Sequence, residues 1–452
     1  MARSRLAPRQ VLQSSKNSYA ITQVLSETGG QGGIYLARDR NGQKRVVKWY
    51  WKNDPLQKRN IEKMAQNGAP AQLEALSGVK FLWPLDYVVN ESSFGYIMEY
   101  VDASQRYNYE SVVVHDKKGG VIWDHLTLCE MSALLLSGFN ALHSAGYCYM
   151  DVSRDNISFG RSGDIIIFDP DNIRVNDPDA LDPAKNDSPV SGTPGFIAPE
   201  ILNRVNNPNT KTDLWQLSVL LFLLWVKHHP LDGELALDDD KYNDINLLCK
   251  NPKFIFDPKQ KDNYVGGDMD DFGYVNAWWR MTPKPMRDLF VRAFTDGRSP
   301  SGRVYESVWV NAINDAKANY IKKCPFCGKY ASTSSPFCFC CKSKLSAGIC
   351  LLIFENGKRV KTLPVSDDAV FSGGDLSHML KDVKRFATVA SNPKKPWIKG
   401  LSNETSRPWL CERQDGSPFT VASGARMTLK HRNKFSVSTK YGDVGVCAYD
   451  FG

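Results

Sequence analysis

The segment Ser191–Glu200 reads Ser-Gly-Thr-Pro-Gly-Phe-Ile-Ala-Pro-Glu and is the most specific stretch of this 452-residue chain. Polar residues of a restricted kind lie on both sides of it. They are Asp151, Asn156 and Asp169 before the segment, and Asp213 and Arg303 after it. Each of these residues alone is a weak signal, so the information lies in their order and spacing.

A glycine-rich stretch and a strand lysine come earlier in the chain. The glycines lie between two candidate strands and are Gly29, Gly30, Gly32 and Gly33. Lys48 lies near the end of an alternating strand, residues 45–49. Glycines allow the backbone to turn tightly and approach phosphate oxygens. Taken alone, the stretch also fits a plain hairpin turn, and a strand lysine is usually solvated.

In this order the motifs resemble a eukaryotic-like protein kinase domain. The resemblance implies an α+β, two-lobed fold that transfers the γ-phosphoryl group of ATP to a protein. We expect a small lobe at about residues 18–101 and a large lobe at about 102–320. Residues 1–17 are expected to be a flexible tail. Apolar periodicity agrees with strands in the small lobe and helices in the large lobe.

The resemblance also implies roles for single residues. Lys48 would hold the α- and β-phosphates, and Asp151 would accept the proton of the substrate hydroxyl. Asn156 and Asp169 would bind Mg²⁺. Ala198-Pro199-Glu200 resembles the substrate-docking segment of serine/threonine kinases. Glu200 is expected to pair with Arg303, and Asp213 to brace the catalytic loop.

Further residues are expected to contact the nucleotide. The four glycines would cover the phosphates. Glu62, on the first helix after the strand, would pair with Lys48, and Glu74 is the alternative partner. Met98 would be the gatekeeper side chain, and the adenine would bond to the backbone C=O of Glu99 and the N–H of Val101. The hinge segment also fits a buried edge strand.

The sequence departs from the family pattern at several positions. They are Glu27 for the first glycine, Tyr149-Met150 for His-Arg, Ser153 for a lysine, and Pro170-Asp171 for Phe-Gly. Arg154 is a candidate for the missing charge, and Asp171 is either a turn former or a second metal ligand. Without an arginine before Asp151, turnover should not depend strongly on activation-loop phosphate. Alanine at Ser188, Ser191 or Thr193 should therefore not abolish it through loss of phosphate alone.

Four further segments narrow the resemblance to a bacterial serine/threonine kinase branch with tellurite-resistance-type gene neighbourhoods. They are residues 81–86, 149–153, 254–258 and 289–295. The branch implies a metal-dependent protein phosphatase and a von Willebrand A-type protein as partners. It also implies a bacterial origin.

Cysteines crowd one short region. Cys324-x2-Cys327 and Cys338-x2-Cys341 are separated by ten residues, and this spacing suits a tetrahedral Zn²⁺ site. Four protein ligands leave no open position, so the zinc should be structural. Cys340 makes the register of the second pair ambiguous. We expect a zinc ribbon at residues 321–346.

Residues 347–452 carry short alternating segments and an Asn356-Gly357 turn, which predict a small all-β domain for partner docking or regulation. It faintly resembles forkhead-associated β-sandwiches. The formal net charge is +8, with much of the excess in this part of the chain. A nucleic-acid-binding role is a minor alternative to a solvated basic surface.

The longest apolar run, Leu217–Val226, is about half the length that a membrane span needs. The first residues carry no apolar core of a secretory signal. We therefore expect a cytoplasmic protein. Two functions stay open, an active serine/threonine kinase and a pseudokinase scaffold in a phosphosignalling complex.

Overall fold

The computed structural model describes most of the chain. The described residues are 4–91, 93–113, 123–176, 192–237, 245–266, 272–324, 327–335, 337–342, 345, 349–365, 369–393, 398–430, 432–439 and 442–450. The chain divides into two compact units. The first holds residues 1–122, 130–265 and 291–310, and the second holds 123–129, 266–290 and 311–452. The domain boundaries expected near residues 320 and 346 stay a prediction.

The small lobe of the first unit is built on one antiparallel sheet. The first seven strands of the chain are β1 Val11–Gln13, β2 Ser18–Ser26, β3 Gly32–Asp39, β4 Lys44–Tyr50, β5 Val79–Phe81, β6 Asp86–Val89 and β7 Phe94–Glu99. All except β5 pair in the order β1-β2-β3-β4-β7-β6. Tyr35, Val47 and Trp49 belong to one buried core, because alternate side chains of a strand point to the same face of the sheet.

The prediction of a flexible tail over residues 1–17 is wrong for residues 4–17. β1 pairs with β2, with Val11 opposite Ala20 and Gln13 opposite Ser18. Leu6 and Leu12 are buried in the small-lobe core. The two leucines are widely spaced and give no period of their own, so the sequence carried little sign of this strand.

Helix α1, Pro55–Asn67, follows the sheet and begins with a side-chain cap. Asp54 accepts hydrogen bonds from the N–H groups of Leu56 and Gln57, which a helix start leaves without intrahelical partners. Gly68, at φ 73°, ends the helix. The short helix α2, Ala71–Glu74, precedes β5.

The next elements are helices and short strands of the first unit, except that residues 125–129 at the start of α4 belong to the second. They are β8 Arg106–Tyr107, α3 Tyr109–Val113, α4 His125–Ser144, β9 Tyr147–Cys148, β10 Ile157–Gly160, β11 Ile165–Ile167, β12 Arg174–Val175, α5 Pro199–Leu202, α6 Thr210–Val226 and α7 Ile245–Lys250. β5 joins β11, β10 and β8 in one sheet, and it runs parallel to β11. The chain that leaves β11 carries Asp169, so this pairing fixes where Asp169 lies.

Helix α6 is buried on every side. Each residue from Thr212 to Val226 is buried, which explains the apolar run as a central helix of the core. A capping box between Asn209 and Thr212 starts the helix, and Lys227 in the left-handed region ends it. Among the helices of the described ranges, none is both long enough and apolar enough to cross a membrane.

Three helices and a hairpin come next in the chain. They are α8 Gly273–Met281, α9 Lys284–Phe294, α10 Glu306–Asn319, β13 Ile321–Lys323 and β14 Tyr330–Ser332. β13 and β14 pair antiparallel, with Lys322 opposite Ala331. In the second unit, the buried ring of His125 packs against Trp278 and Phe339, at centroid distances of 6.3 and 5.1 Å.

The described residues from 349 to 450 form two antiparallel sheets around one core. The elements are β15 Ile349–Glu355, β16 Lys358–Pro364, β17 Val370–Phe371, α11 Gly373–Leu376, β18 Ala387–Ser391, β19 Lys399–Asn403, β20 Trp409–Glu412, β21 Pro418–Val421, β22 Arg426–Thr428, β23 Lys434–Thr439 and β24 Gly442–Asp450. The sheet orders are β16-β15-β24-β23-β20-β21 and β17-β18-β19-β22. The predicted turn is present, with Asn356 and Gly357 at φ 48° and 80°.

Candidate active site and cysteine cluster

The glycine-rich loop joins β2 to β3 and lies close against β4. A Cβ atom on Gly32 would stand 2.4 Å from the carbonyl oxygen of Trp49, so only glycine fits there. The indole of Trp51 donates a 2.8 Å hydrogen bond to the carbonyl of Gly29. Glu27, in place of the first family glycine, accepts a hydrogen bond from Tyr35. The loop is therefore anchored at both ends.

Lys48 lies on β4, and its ammonium group contacts two carboxylates. The Nζ atom is 3.3 Å from Asp169 Oδ2 and 3.0 Å from Asp171 Oδ2. Burial opposes the charged form of Lys48, but the two carboxylates outweigh it and raise its pKa above the usual value. The lysine is therefore held as a cation.

The expected pair between Lys48 and Glu62 is not formed, and this prediction is corrected. Glu62 accepts a 2.8 Å hydrogen bond from the hydroxyl of Tyr87. The buried face of α1 carries residues 57, 61, 64 and 65, and position 62 falls beside it. Glu74, the alternative, is exposed on α2. Lys48 and the residues around it form what we call the lysine cluster, which consists of Lys48, Tyr50, Tyr96, Asp169, Asp171 and Arg174. Gln57 of α1 contacts this cluster.

Asp171 is buried and is surrounded by donors. Its carboxylate accepts hydrogen bonds from Lys48 at 3.1 Å, from the hydroxyl of Tyr96 at 3.2 Å, and from that of Tyr50. Burial tends to raise the pKa of this carboxyl, but Lys48 and the Tyr50 hydroxyl hold it below the usual value. Asp171 is thus neither a side-chain turn former nor an accessible metal ligand.

Asp169 has a different environment although it is only two residues away. Its side chain is 37% exposed, and its backbone lies in the left-handed region at φ 47° and ψ 58°. A residue before proline prefers extended conformations, so this geometry is strained by roughly 1–3 kcal/mol. Burial and the neighbouring carboxylate of Asp171 raise the pKa of Asp169, against the effect of Lys48.

Asp151 lies in a loop whose polar groups converge on its carboxylate. Oδ1 accepts a 2.7 Å hydrogen bond from the hydroxyl of Thr193, and Oδ2 accepts one of 3.0 Å from the amide of Asn156. Asn172 donates to Oδ2 at 3.4 Å. Burial raises the pKa of Asp151 above the usual value despite these donors. A raised pKa favours a carboxylate that accepts a proton during a reaction.

The residues before Asp151 connect the loop to its surroundings. Tyr149 is buried, and its hydroxyl donates to the backbone carbonyl of Phe168, directly before Asp169. The N–H of Phe168 in turn donates to the carbonyl of Asn156 at 2.8 Å. These bonds join the two loops that carry Asp151 and Asp169. Nothing in the sequence pattern singled out Tyr149 for this contact.

Asp213 braces the same loop, as expected. Its carboxylate accepts the N–H groups of Tyr149 and Met150 at 2.6 and 2.9 Å. His143 contacts the Asp213 carboxylate through Nε2 at 3.0 Å and Glu306 through Nδ1. Burial lowers the pKa of His143, but the two carboxylates dominate and raise it to about 9. A charged imidazole thus supports the brace.

The expected ion pair between Glu200 and Arg303 is present. Arg303 donates to Glu200 at 2.6 Å, and the two side chains are 2% and 6% exposed. The guanidinium also lies 4.9 Å from the ring centroid of Trp215. Ser191, Ser188 and the rest of residues 177–191 lie outside the described residues.

At the hinge, β7 ends at Glu99, Met98 is buried, and Val101 follows two residues later. The Glu99 side chain is exposed and pairs with Lys80. Arg154, expected to replace the missing loop lysine, lies 3.8 Å from Glu110 and over the ring of Tyr109. Ser153, at the position of that lysine, is fully buried.

A family model described as the protein kinase domain matches residues 25–280, more than half of the chain. The chain belongs to the protein kinase family. Lys48, Asp151, Asn156 and Asp169 all lie within the matched residues. The two-lobed kinase fold follows from the same match.

Two curated kinases illustrate the likeness. The CBL-interacting serine/threonine-protein kinase 2 of Arabidopsis thaliana is 26% identical over 169 residues, 36% of this chain and 31% of that protein. The serine/threonine-protein kinase STE20 of Candida glabrata is 24% identical over 217 residues, 46% of this chain and 21% of that protein. The chain thus spans about a third or less of these relatives' own length.

Among solved structures, the ROP18 kinase domain in complex with AMP-PNP and sucrose has a TM-score of 0.45 and 17% identity. The likeness covers 69% of this chain and 82% of that one.

Downstream of the kinase domain, the predicted cysteines come together. The sulfurs of Cys324, Cys327, Cys338 and Cys341 lie within 4.8 Å of one another. The Cys324–Cys341 and Cys327–Cys338 sulfur separations are both 3.7 Å. Four sulfurs at Zn–S bonds of about 2.3 Å in a tetrahedron would lie about 3.8 Å apart. The cluster therefore fits a zinc ion.

The two halves of the cysteine cluster share one backbone pattern. The N–H of Gly328 donates to the carbonyl of Cys324 at 3.0 Å, and the N–H of Lys342 donates to that of Cys338 at 3.0 Å. Gly328 and Lys342 have φ values of 73° and 59°. Cys340 is exposed and lies outside the group, which resolves the ambiguous register.

Sequence reasoning missed four residues around Lys48 and Asp171. They are Tyr50, Gln57, Tyr96 and Arg174. Tyr50 and Tyr96 could have been found from the sequence, because both lie on the same face of the sheet as Lys48. Tyr50 is two positions after Lys48, and Tyr96 is opposite Lys48 in the pairing of β4 with β7. Gln57 and Arg174 had no comparable signal.

Proposed function

We propose that the chain is a Mg²⁺- and ATP-dependent serine/threonine protein kinase. The observation that carries this proposal is the convergence of Lys48, Asp151, Asn156 and Asp169 from three separate segments of the first unit, which are β4, the loop before β10 and the loop after β11. The curated relatives, which are named as serine/threonine kinases, support the choice of acceptor. Mg²⁺, when bound, would neutralise the negative charge of the nucleotide phosphates.

The donor set fits the metal. Asn156 uses its amide N–H groups on the carbonyl and carboxylate of Asp151, at 2.9 and 3.0 Å, so its carbonyl oxygen is the atom to offer a cation. Asp169 keeps a partly exposed carboxylate. Oxygen ligands of this kind suit Mg²⁺. Asn156 and Asp169 would therefore hold the ion, while Lys48 would bind phosphate oxygens.

Asp151 would orient the substrate hydroxyl and accept its proton. Thr193 supports this role, since its alcohol already donates to Asp151 Oδ1 at 2.7 Å. A serine or threonine of a protein substrate presents the same functional group. The glycine-rich loop, Gly29 to Gly33, would cover the phosphates, and the backbone of Glu99 and Val101 would bind the adenine. Glu62 is no longer assigned to the nucleotide site.

The test is transfer of labelled γ-phosphate to dephosphorylated casein and to the chain itself. Asp151→Asn should lower the rate by about 10²–10⁴-fold, the usual contribution of a general base. Asp155→Asn is the matched control, since it removes the same charge from an exposed position in the same loop. Equal rates for wild type and Asp151→Asn would contradict the proposal.

A pseudokinase scaffold is the second candidate, and one observation favours it. Ser153 is fully buried, its hydroxyl finds no hydrogen-bond partner, and Arg154 is turned towards Glu110. The described residues thus place no cation from positions 153 and 154 near Asp151. Binding of ATP by calorimetry without any transfer would favour the scaffold.

We propose a structural Zn²⁺ at Cys324, Cys327, Cys338 and Cys341, within a zinc ribbon at residues 321–346. The four thiols leave no open coordination position, and the metal would contribute much of the folding free energy of so small a module. Metal analysis should find about one zinc per chain. A chelator should release it with loss of structure at residues 321–345, and zinc-free protein with unchanged stability would contradict the site.

We also propose that the β domain docks partners in a cytoplasmic, bacterial phosphosignalling complex. The partners implied by the sequence are a metal-dependent protein phosphatase and a von Willebrand A-type protein. An open cavity of about 550 Å³ is lined by Arg413, Arg426 and Lys430 and by one carboxylate, Asp415, and this excess of cations supports an acidic partner surface. Co-purification with such partners tests docking. A steep fall of DNA or RNA affinity with salt would instead favour the minor nucleic-acid role.

A further inference from the structure

We infer that Asp171, which the sequence offered only as a turn former or metal ligand, is the positioning residue for Lys48. This inference rests on the proposed function, since it concerns how the phosphate-binding lysine is held. The Nζ atom of Lys48 is 3.1 Å from Oδ1 of Asp171 and 3.0 Å from Oδ2. The carboxylate of Asp171 is 0% exposed, so the contact is not screened by water.

The remaining donors around Asp171 fix its orientation. Tyr96 donates to Oδ1 at 3.2 Å, and Tyr50 donates to Oδ2. Tyr50 lies on the same strand as Lys48, and Tyr96 is the direct partner of Lys48 on β7. The sheet that carries the lysine thus also binds the carboxylate that orients it. Asp169 also contacts Lys48, at 3.3 Å, but in contrast to Asp171 its carboxylate is partly exposed.

The cluster is balanced in charge. Arg174 donates to the backbone carbonyl of Asp171 and to the side chain of Gln57. Two cations, Lys48 and Arg174, therefore lie with two carboxylates, Asp169 and Asp171. Buried charges are stable only when paired in this way. Removal of the Asp171 carboxylate leaves the two cations with one carboxylate of the cluster. Lys48 then keeps its contact with Asp169 and loses the contact with Asp171.

Helix α1 makes a neutral contact with this cluster. Gln57 donates to the carbonyl of Asp171 at 2.8 Å and to the hydroxyl of Tyr50 at 3.0 Å. The helix carboxylate at Glu62 binds Tyr87 and does not take part. The position of Lys48 therefore depends on the segment that follows Asp169, and a shift of α1 would not remove the lysine's carboxylate partner.

The experiment compares ATP and adenosine binding by calorimetry in the full chain, with turnover measured in parallel. Asp171→Asn should weaken ATP binding by about tenfold or more and lower kcat/KM by about 10²-fold, because a misplaced phosphate ligand is costly. Adenosine lacks phosphates, so its affinity should not change. Glu62→Gln, which removes the helix carboxylate, should leave both affinities unchanged.

A double-mutant cycle shows whether Asp171 acts through Lys48. In a Lys48→Met background, Asp171→Asn should add no further loss of ATP affinity, because coupled residues are not additive. Additive losses would overturn the inference, and so would an equal loss of adenosine binding. If Asp171→Asn fails to fold, Tyr50→Phe takes its place, with the same selective loss for ATP expected and an unchanged ATP affinity contradicting the inference.

The outcomes separate the inference from the proposed function. A wild type that binds ATP without transferring phosphate would refute the kinase activity, and the binding data would still decide the role of Asp171. An active wild type with full ATP affinity in Asp171→Asn would refute the inference alone. A larger ATP-specific loss in Glu62→Gln than in Asp171→Asn would return the role to the helix.

Discussion

The lysine cluster and the cysteine cluster both contain groups that carry or can carry negative charge, but they are assembled differently. The lysine cluster joins residues far apart in the chain, as in the contact between Lys48 and Asp171, 123 residues apart. The cysteines join two short segments, with Cys324 and Cys341 only 17 residues apart. In the lysine cluster, the chain itself supplies the cations that balance the carboxylates. The thiols need a metal for the same purpose.

This difference predicts where each site is vulnerable. A local cluster held by one ion should fail as a whole when a ligand is lost, while the rest of the chain keeps its structure. A long-range cluster should lose stability or function in steps, because each contact also holds distant segments together. Four substitutions test this contrast, from the largest expected effect to the smallest.

Cys327→Ser should have the largest effect. Structural zinc in small modules contributes an apparent binding free energy of about 10–16 kcal/mol, so loss of one thiolate should abolish stoichiometric zinc and local order. Cys340→Ser is the control, since Cys340 is exposed in the same segment and outside the cluster. Zinc content and hydrogen exchange at residues 321–345 are the measurements. Similar behaviour of the two variants would remove the distinction between ligand and bystander.

Glu200→Gln should destabilise the chain by about 3–5 kcal/mol, because it leaves Arg303 as a buried and uncompensated charge. The measurement is urea unfolding. Glu99→Gln breaks an exposed pair with Lys80 and should change the free energy of unfolding by about 1 kcal/mol or less. If both variants lost the same amount, burial would not govern the strength of the long-range contacts.

His143 predicts a pH dependence of stability. Its pKa is raised to about 9 by Asp213 and Glu306, from an ordinary value of 6.5, so the charged imidazole stabilises the folded state. This contribution should be complete below pH 6.5 and be lost as pH rises through about 9, and it should amount to a few kcal/mol. The measurement is the difference in unfolding free energy between wild type and His143→Gln. A difference that stays constant across this range would contradict the charged imidazole.

Asp54→Ala should have the smallest effect, a loss of about 1 kcal/mol from the cap of α1. Asp54 accepts the N–H groups of Leu56 and Gln57, which then lose their partner. ATP affinity should change little, since the hydrogen bonds of Gln57 to Asp171 and Tyr50 are formed by its side chain and not by the capped backbone. Thermal unfolding together with nucleotide calorimetry measures both quantities, and a marked loss of ATP binding would show that the helix positions the site after all.

The parts that could be predicted from the sequence depend on local pattern. Alternation predicted the strands β2 to β4, and the apolar run predicted the buried helix α6. The spacing of the cysteines was sufficient for the cluster, because its ligands lie on two short turns. The pair of Glu200 with Arg303 was also predicted, although only through the family resemblance.

The partner of Lys48 could not be predicted in the same way. Choosing Glu62 assumed that the family's helix carboxylate is present, whereas the actual partner arrives from a loop on another segment. The pattern of α1 did argue against Glu62, because the buried face of the helix contains Gln57 and Ile61 and does not include position 62. The arrangement of the last strands into two sheets depends on long-range pairing, for which the sequence gives no register.

The first strand has a practical consequence. Val11–Gln13 covers the border of β2, and Leu6 and Leu12 fill apolar space against Tyr35 and Trp49. A chain shortened to start near residue 18 would leave N–H and C=O groups of β2 without their β1 partners and would expose this apolar surface to solvent. Uncovered strand borders recruit other chains. Such a shortened protein should self-associate. Recombinant versions therefore need residues 4–17, even though the glycine-rich loop and Lys48 come later in the chain.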